Sequence, residues 1–262
     1  MRAAARLPLL VVVALALLFG GCGGEPDDHS QDATVESFDV RRQGAVLQTP
    51  GRPTRKVVIY THGAGERISN TFRDPRKEPI LRALLDDGYA LAMSDAHGDN
   101  WGNAASERDQ LALVAALRER GLRDIYVLAL SMGGFNGLQL LERVPVKAWA
   151  GIFPACDLAS VYALGLYRGQ IRDAYGRTGP RLGDLIARRS PVDFDPPDGL
   201  PMRFWASPGD RVIPKRENTD ACAALARDRG ARVEVTTTTG DHGDPSNYDA
   251  AGVLRLFASA AP

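Results

Sequence analysis

The chain has 262 residues, with 32 Lys and Arg against 32 Asp and Glu, so its formal net charge is zero. A balanced charge gives no electrostatic reason to expect nucleic acid as a partner. The length fits one medium domain, and an apolar fraction of 44% excludes a chain too polar to build a core.

The N-terminus is typical of an export signal rather than of a folded element. A basic start precedes an apolar run over residues 7–19, which is too short to span a bilayer comfortably. Small residues then lead to Cys22 in a pattern that resembles the lipobox of bacterial lipoproteins, although Phe19 stands where Leu or Val is commoner. We expect a signal peptide over residues 1–21 and a protein lipidated at Cys22 on the outer face of a bacterial membrane; the alternative is simple secretion.

Residues 22–34 are rich in Gly, Asp and Ser and predict a flexible tether, after which residues 35–262 form the folded domain. Short apolar runs alternate with longer amphipathic stretches from residue 56 onward, which is typical of parallel βαβ units. Strands are predicted over residues 35–40, 45–48, 57–61, 89–94, 125–130, 148–153, 202–207 and 233–238, the first two as an antiparallel edge. Helices are predicted over residues 75–87, 104–120, 133–143, 215–229 and 246–259.

One stretch interrupts this alternation. About forty residues separate the predicted strands 148–153 and 202–207, more than a simple crossover needs. Their aromatic and aliphatic residues are spaced for short helices. We therefore expect a small helical cap over about residues 158–198.

A candidate nucleophile follows the most apolar predicted strand. The segment Ala-Leu-Ser-Met-Gly-Gly at 129–134 places Ser131 between a strand and a helix. A sharp turn there needs small residues two before and two after the serine, and Ala129 replaces the commoner glycine. This pattern predicts a nucleophile elbow, although an ordinary helix-capping serine is the alternative.

A glycine-containing loop, His62-Gly-Ala-Gly, ends the first parallel strand. Its backbone can turn inward, so we expect the N–H groups of Ala64 and Met132 to bind the negative oxygen of a tetrahedral intermediate. His62 is expected to brace the loop rather than to act in catalysis.

Two further candidates follow later strands. Asp210 lies after the strand 202–207, and His242 lies after the last strand. The order Ser, Asp, His then makes His242 the general base and Asp210 the acid that orients it. Asp157 remains an alternative acid, because it follows the preceding strand.

The remaining candidates concern the pocket and the cysteines. Trp101 and His97 follow the second parallel strand and are candidate pocket residues, although Trp101 could instead pack its loop against the cap. Cys156 and Cys222 could form a disulfide in an oxidising compartment; the alternative is two buried thiols.

From about residue 56 to the end the chain resembles the α/β-hydrolase superfamily, in its esterase, dienelactone-hydrolase-like or prolyl-oligopeptidase-like branches. The His-Gly-Ala-Gly loop, the Ser-Met-Gly-Gly elbow, the Gly-Asp turn and the final Asp-His-Gly carry this resemblance. It implies a mostly parallel eight-stranded sheet flanked by helices, with the cap after the sixth strand, and a metal-free Ser-His-Asp mechanism through an acyl-enzyme.

The expected function is hydrolysis of carboxylic esters of small or medium acyl substrates. A serine peptidase or amidase and a non-catalytic binding lipoprotein are the alternatives. No cofactor is expected, because the sequence contains neither a phosphate-binding loop nor a metal-ligand spacing. The expected partners are a small-molecule ester and, through the anchor, a membrane.

Overall fold

A computed structural model describes residues 33–176 and 179–260. The predicted signal peptide, the lipidation site at Cys22 and most of the predicted tether lie outside these residues. Within them, no helix has both the length and the apolar character needed to cross a bilayer.

The domain is built on an eight-stranded sheet in the order β1-β2-β4-β3-β5-β6-β7-β8. The first two strands form the predicted antiparallel edge, and β3 to β8 are parallel to their neighbours among themselves. The strands are β1 Thr34–Val40, β2 Gln43–Thr49, β3 Lys56–Thr61, β4 Ala90–Ser94, β5 Asp124–Leu130, β6 Val146–Ile152, β7 Pro201–Ala206 and β8 Arg232–Thr237. The predicted mostly parallel sheet is therefore confirmed.

Helices flank both faces of this sheet. They are α1 Ile68–Thr71, α2 Glu78–Asp86, α3 Ala104–Glu119, α4 Gly133–Leu141, α5 Leu158–Leu164, α6 Arg168–Tyr175, α7 Gly179–Ala187, α8 Ala221–Asp228 and α9 Ala250–Ala258. The helix predicted over residues 215–229 begins as a π-helical turn, Arg216–Asp220, that runs directly into α8, whereas the one predicted from residue 246 begins as a separate 3-10 turn, Pro245–Asn247, before α9. The Asp249 side chain accepts a hydrogen bond from the Gly252 N–H, which sets the start of α9.

The sheet separates two apolar cores, because its central strands are covered on both faces. Helices α3, α4 and α8 pack on one face, around Trp149, Phe204 and Phe135. Helices α2 and α9 pack on the other, around Tyr126 and Phe257. The two cores fix the positions of the strand ends from which the loops of the candidate site emerge.

Three short helices, α5 to α7, occupy the segment between β6 and β7 where the insertion was predicted. Helix α6 buries Ile171, and the Tyr175 hydroxyl donates to the Trp101 carbonyl at 2.6 Å. The insertion therefore rests on the loop that follows β4.

The predicted disulfide is not formed, because Cys156 and Cys222 are both free and buried. The Cys156 thiol lies 3.6 Å from the Asn218 carbonyl oxygen and 3.8 Å from that of Pro154. Burial, and then the neighbouring Cys222, raise the pKa of the Cys156 thiol. A protonated thiol is a poor nucleophile for disulfide exchange, so the environment favours the alternative of two buried thiols.

The aromatic cluster under α9 is expected to contribute strongly to stability. The Phe257 side chain is fully buried, with its ring centroid 5.2 Å from that of Tyr126 and 5.9 Å from that of Tyr89. We predict that Phe257→Ala lowers the free energy of unfolding by about 3–5 kcal/mol, measured by urea denaturation, because it leaves a cavity. Leu166→Ala is the control, since Leu166 is 66% exposed. Equal effects of the two substitutions would contradict the assignment of Phe257 to the core.

Candidate active site

Ser131 lies at the turn from β5 into α4, in a strained backbone conformation with φ of 50°. Backbone hydrogen bonds hold this turn: the Ser131 N–H donates to the Ile152 carbonyl at 3.1 Å, and the Ser131 carbonyl accepts from Gly134 at 2.9 Å and Ala155 at 2.8 Å. Such a conformation costs about 1–3 kcal/mol and persists only where its surroundings enforce it. The next amide, that of Met132, donates to no other residue in the described part of the chain.

The glycines after Ser131 are required by close backbone contacts. A Cβ at Gly133 would lie 1.9 Å from the Thr61 carbonyl oxygen, and one at Gly134 would lie 2.4 Å from that of Ala155. The Thr61 hydroxyl donates to the Gly133 carbonyl at 2.8 Å. The elbow pattern requires a small residue two positions after the serine. The structure explains this requirement, because the end of β3 lies in direct contact with the start of α4.

The structure brings Ser131, His242 and Asp210 together. The Ser131 Oγ lies 3.0 Å from the His242 Nε2, and the His242 Nδ1 lies 2.7 Å from the Asp210 Oδ2. Because an ionised carboxylate only accepts, Nδ1 carries the proton and Nε2 is left to accept from the serine hydroxyl. The Ser207 hydroxyl also donates to the Gly240 carbonyl at 2.7 Å, which ties the Asp210 loop to the His242 loop.

The buried carboxylate of Asp210 has a full set of donors. Its other oxygen, Oδ1, accepts from the amides of Val212 at 2.8 Å and Ile213 at 2.9 Å. The alternative acid, Asp157, is used elsewhere: its side chain accepts from the Ser160 N–H at 2.8 Å and begins α5. Of the two candidate acids, the structure places Asp210 on His242.

The loop after β3 passes directly beside the serine. A Cβ built on Gly63 would lie 3.5 Å from the Ser131 Cβ. The two ring nitrogens of buried His62 face the carbonyl oxygens of Gly63 at 2.9 Å and Asp95 at 3.1 Å. This agrees with His62 as a bracing residue of the loop.

Two of the three successive amides in this loop already have acceptors. The Gly63 N–H donates to the Glu66 carboxylate at 3.2 Å, and the Gly65 N–H donates to that of Asp99 at 2.7 Å. The Ala64 N–H between them donates to no other described residue. The loop thus leaves one amide available beside the serine, and it is the amide that the sequence predicted.

The two candidate pocket residues lie in the strained loop after β4. His97 is not brought to the triad: its Nδ1 pairs with the buried carboxylate of Asp109 on α3, beside Arg41. Trp101 is fully buried; its ring centroid lies 4.8 Å from that of Tyr167, and its Nε1 donates to the Gln170 Oε1 at 3.3 Å. Trp101 therefore packs the loop against the insertion, which was the alternative interpretation.

Two aromatic residues near the triad were missed from the sequence. Phe153 has φ of 37° at the end of β6, and its ring centroid lies 4.2 Å from that of His242. Burial, and then the charges of Asp210 and Asp99, raise the pKa of Tyr167, so its hydroxyl stays protonated. The position of Phe153 at the end of a predicted strand was a usable signal. Tyr167 lies in the insertion, whose placement over the sheet edge no sequence pattern fixes.

No group of three or more His, Cys, Asp or Glu side chains arranged to hold a metal ion occurs within residues 33–176 and 179–260.

No protein-family model matches the sequence, and no curated protein matches it. Solved structures do. The Pyrococcus furiosus esterase Pf2001 is 16% identical with a TM-score of 0.66, and the match covers 92% of this chain and 98% of that chain. A Mycobacterium tuberculosis puromycin-hydrolyzing peptidase is 16% identical with a TM-score of 0.71, and this chain, covered to 90%, spans only 40% of its length. Candida antarctica lipase A is 12% identical with a TM-score of 0.65, with 90% of this chain and 80% of the lipase covered. At such identities the similarity establishes the fold alone, and the predicted α/β-hydrolase fold is confirmed.

The close contact between β3 and α4 allows a direct test of the turn at Ser131. We predict that Gly133→Ala either prevents folding or disrupts the turn, since the added methyl would lie 1.9 Å from a backbone oxygen. Circular dichroism and hydrolysis of p-nitrophenyl acetate measure the two effects. Gly169→Ala is the matched control, because nothing lies within 4 Å of a Cβ there. A soluble Gly133→Ala protein with full activity would contradict the geometry.

Proposed function

We propose that the protein is a serine hydrolase that cleaves carboxylic esters of small or medium acyl substrates through an acyl-enzyme. The observation that carries the proposal is the hydrogen-bonded chain from Ser131 through His242 to Asp210, beside two amides that donate to no other residue in the described part of the chain. A serine that only caps a helix would need neither the hydrogen bonds to histidine and aspartate nor the two available amides.

In the proposed mechanism His242 takes the Ser131 proton at Nε2 as the serine oxygen attacks the ester carbonyl. The imidazolium then returns this proton to the leaving alcohol, and water repeats the sequence on the acyl-enzyme. Asp210 stabilises the imidazolium and keeps Nδ1 as the protonated nitrogen. The amides of Ala64 and Met132 donate to the oxyanion; losing one such donor typically slows the reaction by about a hundred- to thousandfold.

A small acyl group suits the surroundings of the serine. Ser131 is only 5% exposed, and the buried Phe153 ring packs on the His242 ring beside it, with the two centroids 4.2 Å apart. The nearly full-length likeness to an esterase supports ester substrates. A peptidase remains the second candidate, because a peptidase of the same fold is also similar, although this chain spans only 40% of it.

The proposed triad is tested by labelling with a fluorophosphonate. We predict that the wild type is labelled and hydrolyses p-nitrophenyl esters faster than a peptide anilide. Ser131→Ala is expected to abolish labelling, and His242→Ala to lower ester turnover by at least about a thousandfold. Asp210→Asn should lower turnover strongly, because it favours the wrong tautomer of His242.

Asp157→Asn is the matched control for Asp210→Asn, since it leaves the triad contacts intact. A larger loss in Asp157→Asn than in Asp210→Asn would overturn the choice of acid. No labelling of folded wild-type protein would favour a non-catalytic binding lipoprotein, and a faster reaction with the anilide would favour the peptidase.

We also propose that the protein is exported and anchored by a lipid at Cys22, on the outer face of a bacterial membrane. The apolar run over residues 7–19 and the small residues before the cysteine support this. An alkyne fatty acid fed to expressing bacteria is predicted to label the wild type in the membrane fraction and to leave Cys22→Ala unlabelled. Unlabelled wild type in the medium would favour simple secretion.

A further inference from the structure

A charged cluster lies beneath the loop that carries the Ala64 amide. At its centre Lys77 is 4% exposed, and its Nζ lies 2.8 Å from the Glu66 Oε1 and 2.9 Å from the Asp74 Oδ2. A buried ammonium is strongly disfavoured unless carboxylates compensate it. The Lys77 Nζ therefore fixes the Glu66 and Asp74 carboxylates relative to each other.

Glu66 uses its second oxygen to hold the loop. The Glu66 Oε2 accepts from the Tyr60 hydroxyl at 2.9 Å and from the Gly63 N–H at 3.2 Å. Burial, and then the charge of Glu66, raise the pKa of Tyr60, so this hydroxyl remains a donor. The Glu66 backbone N–H also donates to the Gly63 carbonyl at 3.2 Å, and this carbonyl shares its peptide unit with the Ala64 N–H. Glu66 therefore holds Gly63 at both its N–H and its carbonyl, directly beside the Ala64 amide.

Asp74 fixes Lys77 from the opposite side. Its carboxylate also accepts two hydrogen bonds from the Arg76 guanidinium, at 3.0 and 2.7 Å, and one from the Arg76 backbone N–H at 3.0 Å. The hydrogen bonding of the guanidinium holds the pKa of Asp74 below its usual 3.8. Asp74 therefore stays ionised at neutral pH. Lys77 is shared between this anchored carboxylate and Glu66, so it cannot move without breaking one of two short ion pairs.

We propose that Lys77 is a positioning residue for the oxyanion site: it fixes Glu66, and Glu66 orients the loop so that the Ala64 N–H faces Ser131. The inference rests on the proposed serine-hydrolase function and extends it to a residue that touches neither the triad nor the substrate. A merely structural ion pair would affect stability alone. A positioning pair must affect stabilisation of the tetrahedral intermediate more than substrate binding.

The experiment compares Lys77→Met, Glu66→Ala and Glu66→Gln with the wild type. For each, kcat and KM for p-nitrophenyl acetate are measured together with the Ki of a trifluoromethyl ketone, whose hemiketal adduct needs the same amides. Losing an oxyanion donor outright slows catalysis by about a hundred- to thousandfold. For a misaligned donor we expect kcat to fall by about ten- to hundredfold in Lys77→Met and Glu66→Ala, with KM little changed and Ki rising in parallel.

Glu66→Gln supplies the rescue. Its amide oxygen can still accept from the Gly63 N–H, but its NH2 group replaces the oxygen that pairs with Lys77, so we expect a kcat between those of Glu66→Ala and the wild type. Glu78→Ala is the control, because it removes an exposed ion pair with Arg82 on the neighbouring helix α2. It should leave kcat, KM and Ki unchanged.

The outcomes separate this proposal from the one it rests on. Wild type that hydrolyses the ester, with folded Lys77→Met and Glu66→Ala proteins of unchanged kcat, overturns the positioning role alone. Wild type without labelling or turnover overturns the hydrolase and the positioning role together. If Lys77→Met does not fold by circular dichroism, the two Glu66 variants decide: equal kcat values in Glu66→Ala and the wild type overturn the proposal.

Discussion

The approach of β3 to the start of α4 is the contact on which the candidate site depends. The Thr61 carbonyl lies so close to Gly133 that no side chain fits between them. This approach holds the turn at Ser131 in a conformation that a serine rarely adopts. Because the chain continues from Thr61 directly into the glycine loop, the same contact brings that loop beside the serine. The contact between Thr61 and Gly133 therefore fixes the nucleophile and the proposed oxyanion amides relative to each other.

Strained backbone is concentrated at one edge of the sheet. Ala96, Ser131 and Phe153, each at the end of a different parallel strand, have positive φ although none is glycine. Two apolar cores hold the strands rigidly enough to sustain these conformations. Each strained residue turns its loop toward the candidate site or the insertion. The rigid strands of the sheet therefore sustain the strained loops at its edge.

The sequence was sufficient to predict the sheet and to place Ser131, His242 and two candidate acids at one edge of it, because each candidate follows a strand and parallel strands end at one edge. Choosing between Asp210 and Asp157 required the structure, since both follow strands. The predicted disulfide is not formed: the structure leaves the neighbouring Cys156 and Cys222 as free, buried thiols, and the sequence indicates a compartment but not the redox state of two particular cysteines. Lys77 was not predicted at all: a lysine near the start of an amphipathic helix normally faces solvent, and only the fold shows its burial between two carboxylates.

The proposed oxyanion donors are main-chain amides, and this affects how the site can change during evolution. A peptide N–H is supplied by any residue except proline, so the side chains at Ala64 and Met132 can vary without loss of the donors. At the oxyanion site the function then depends on the shape of the backbone, and residue identity there is constrained where backbones touch, as at Gly133. The fold itself tolerates wide sequence change, since solved structures with TM-scores of 0.65–0.71 to this one are only 12–16% identical to the chain.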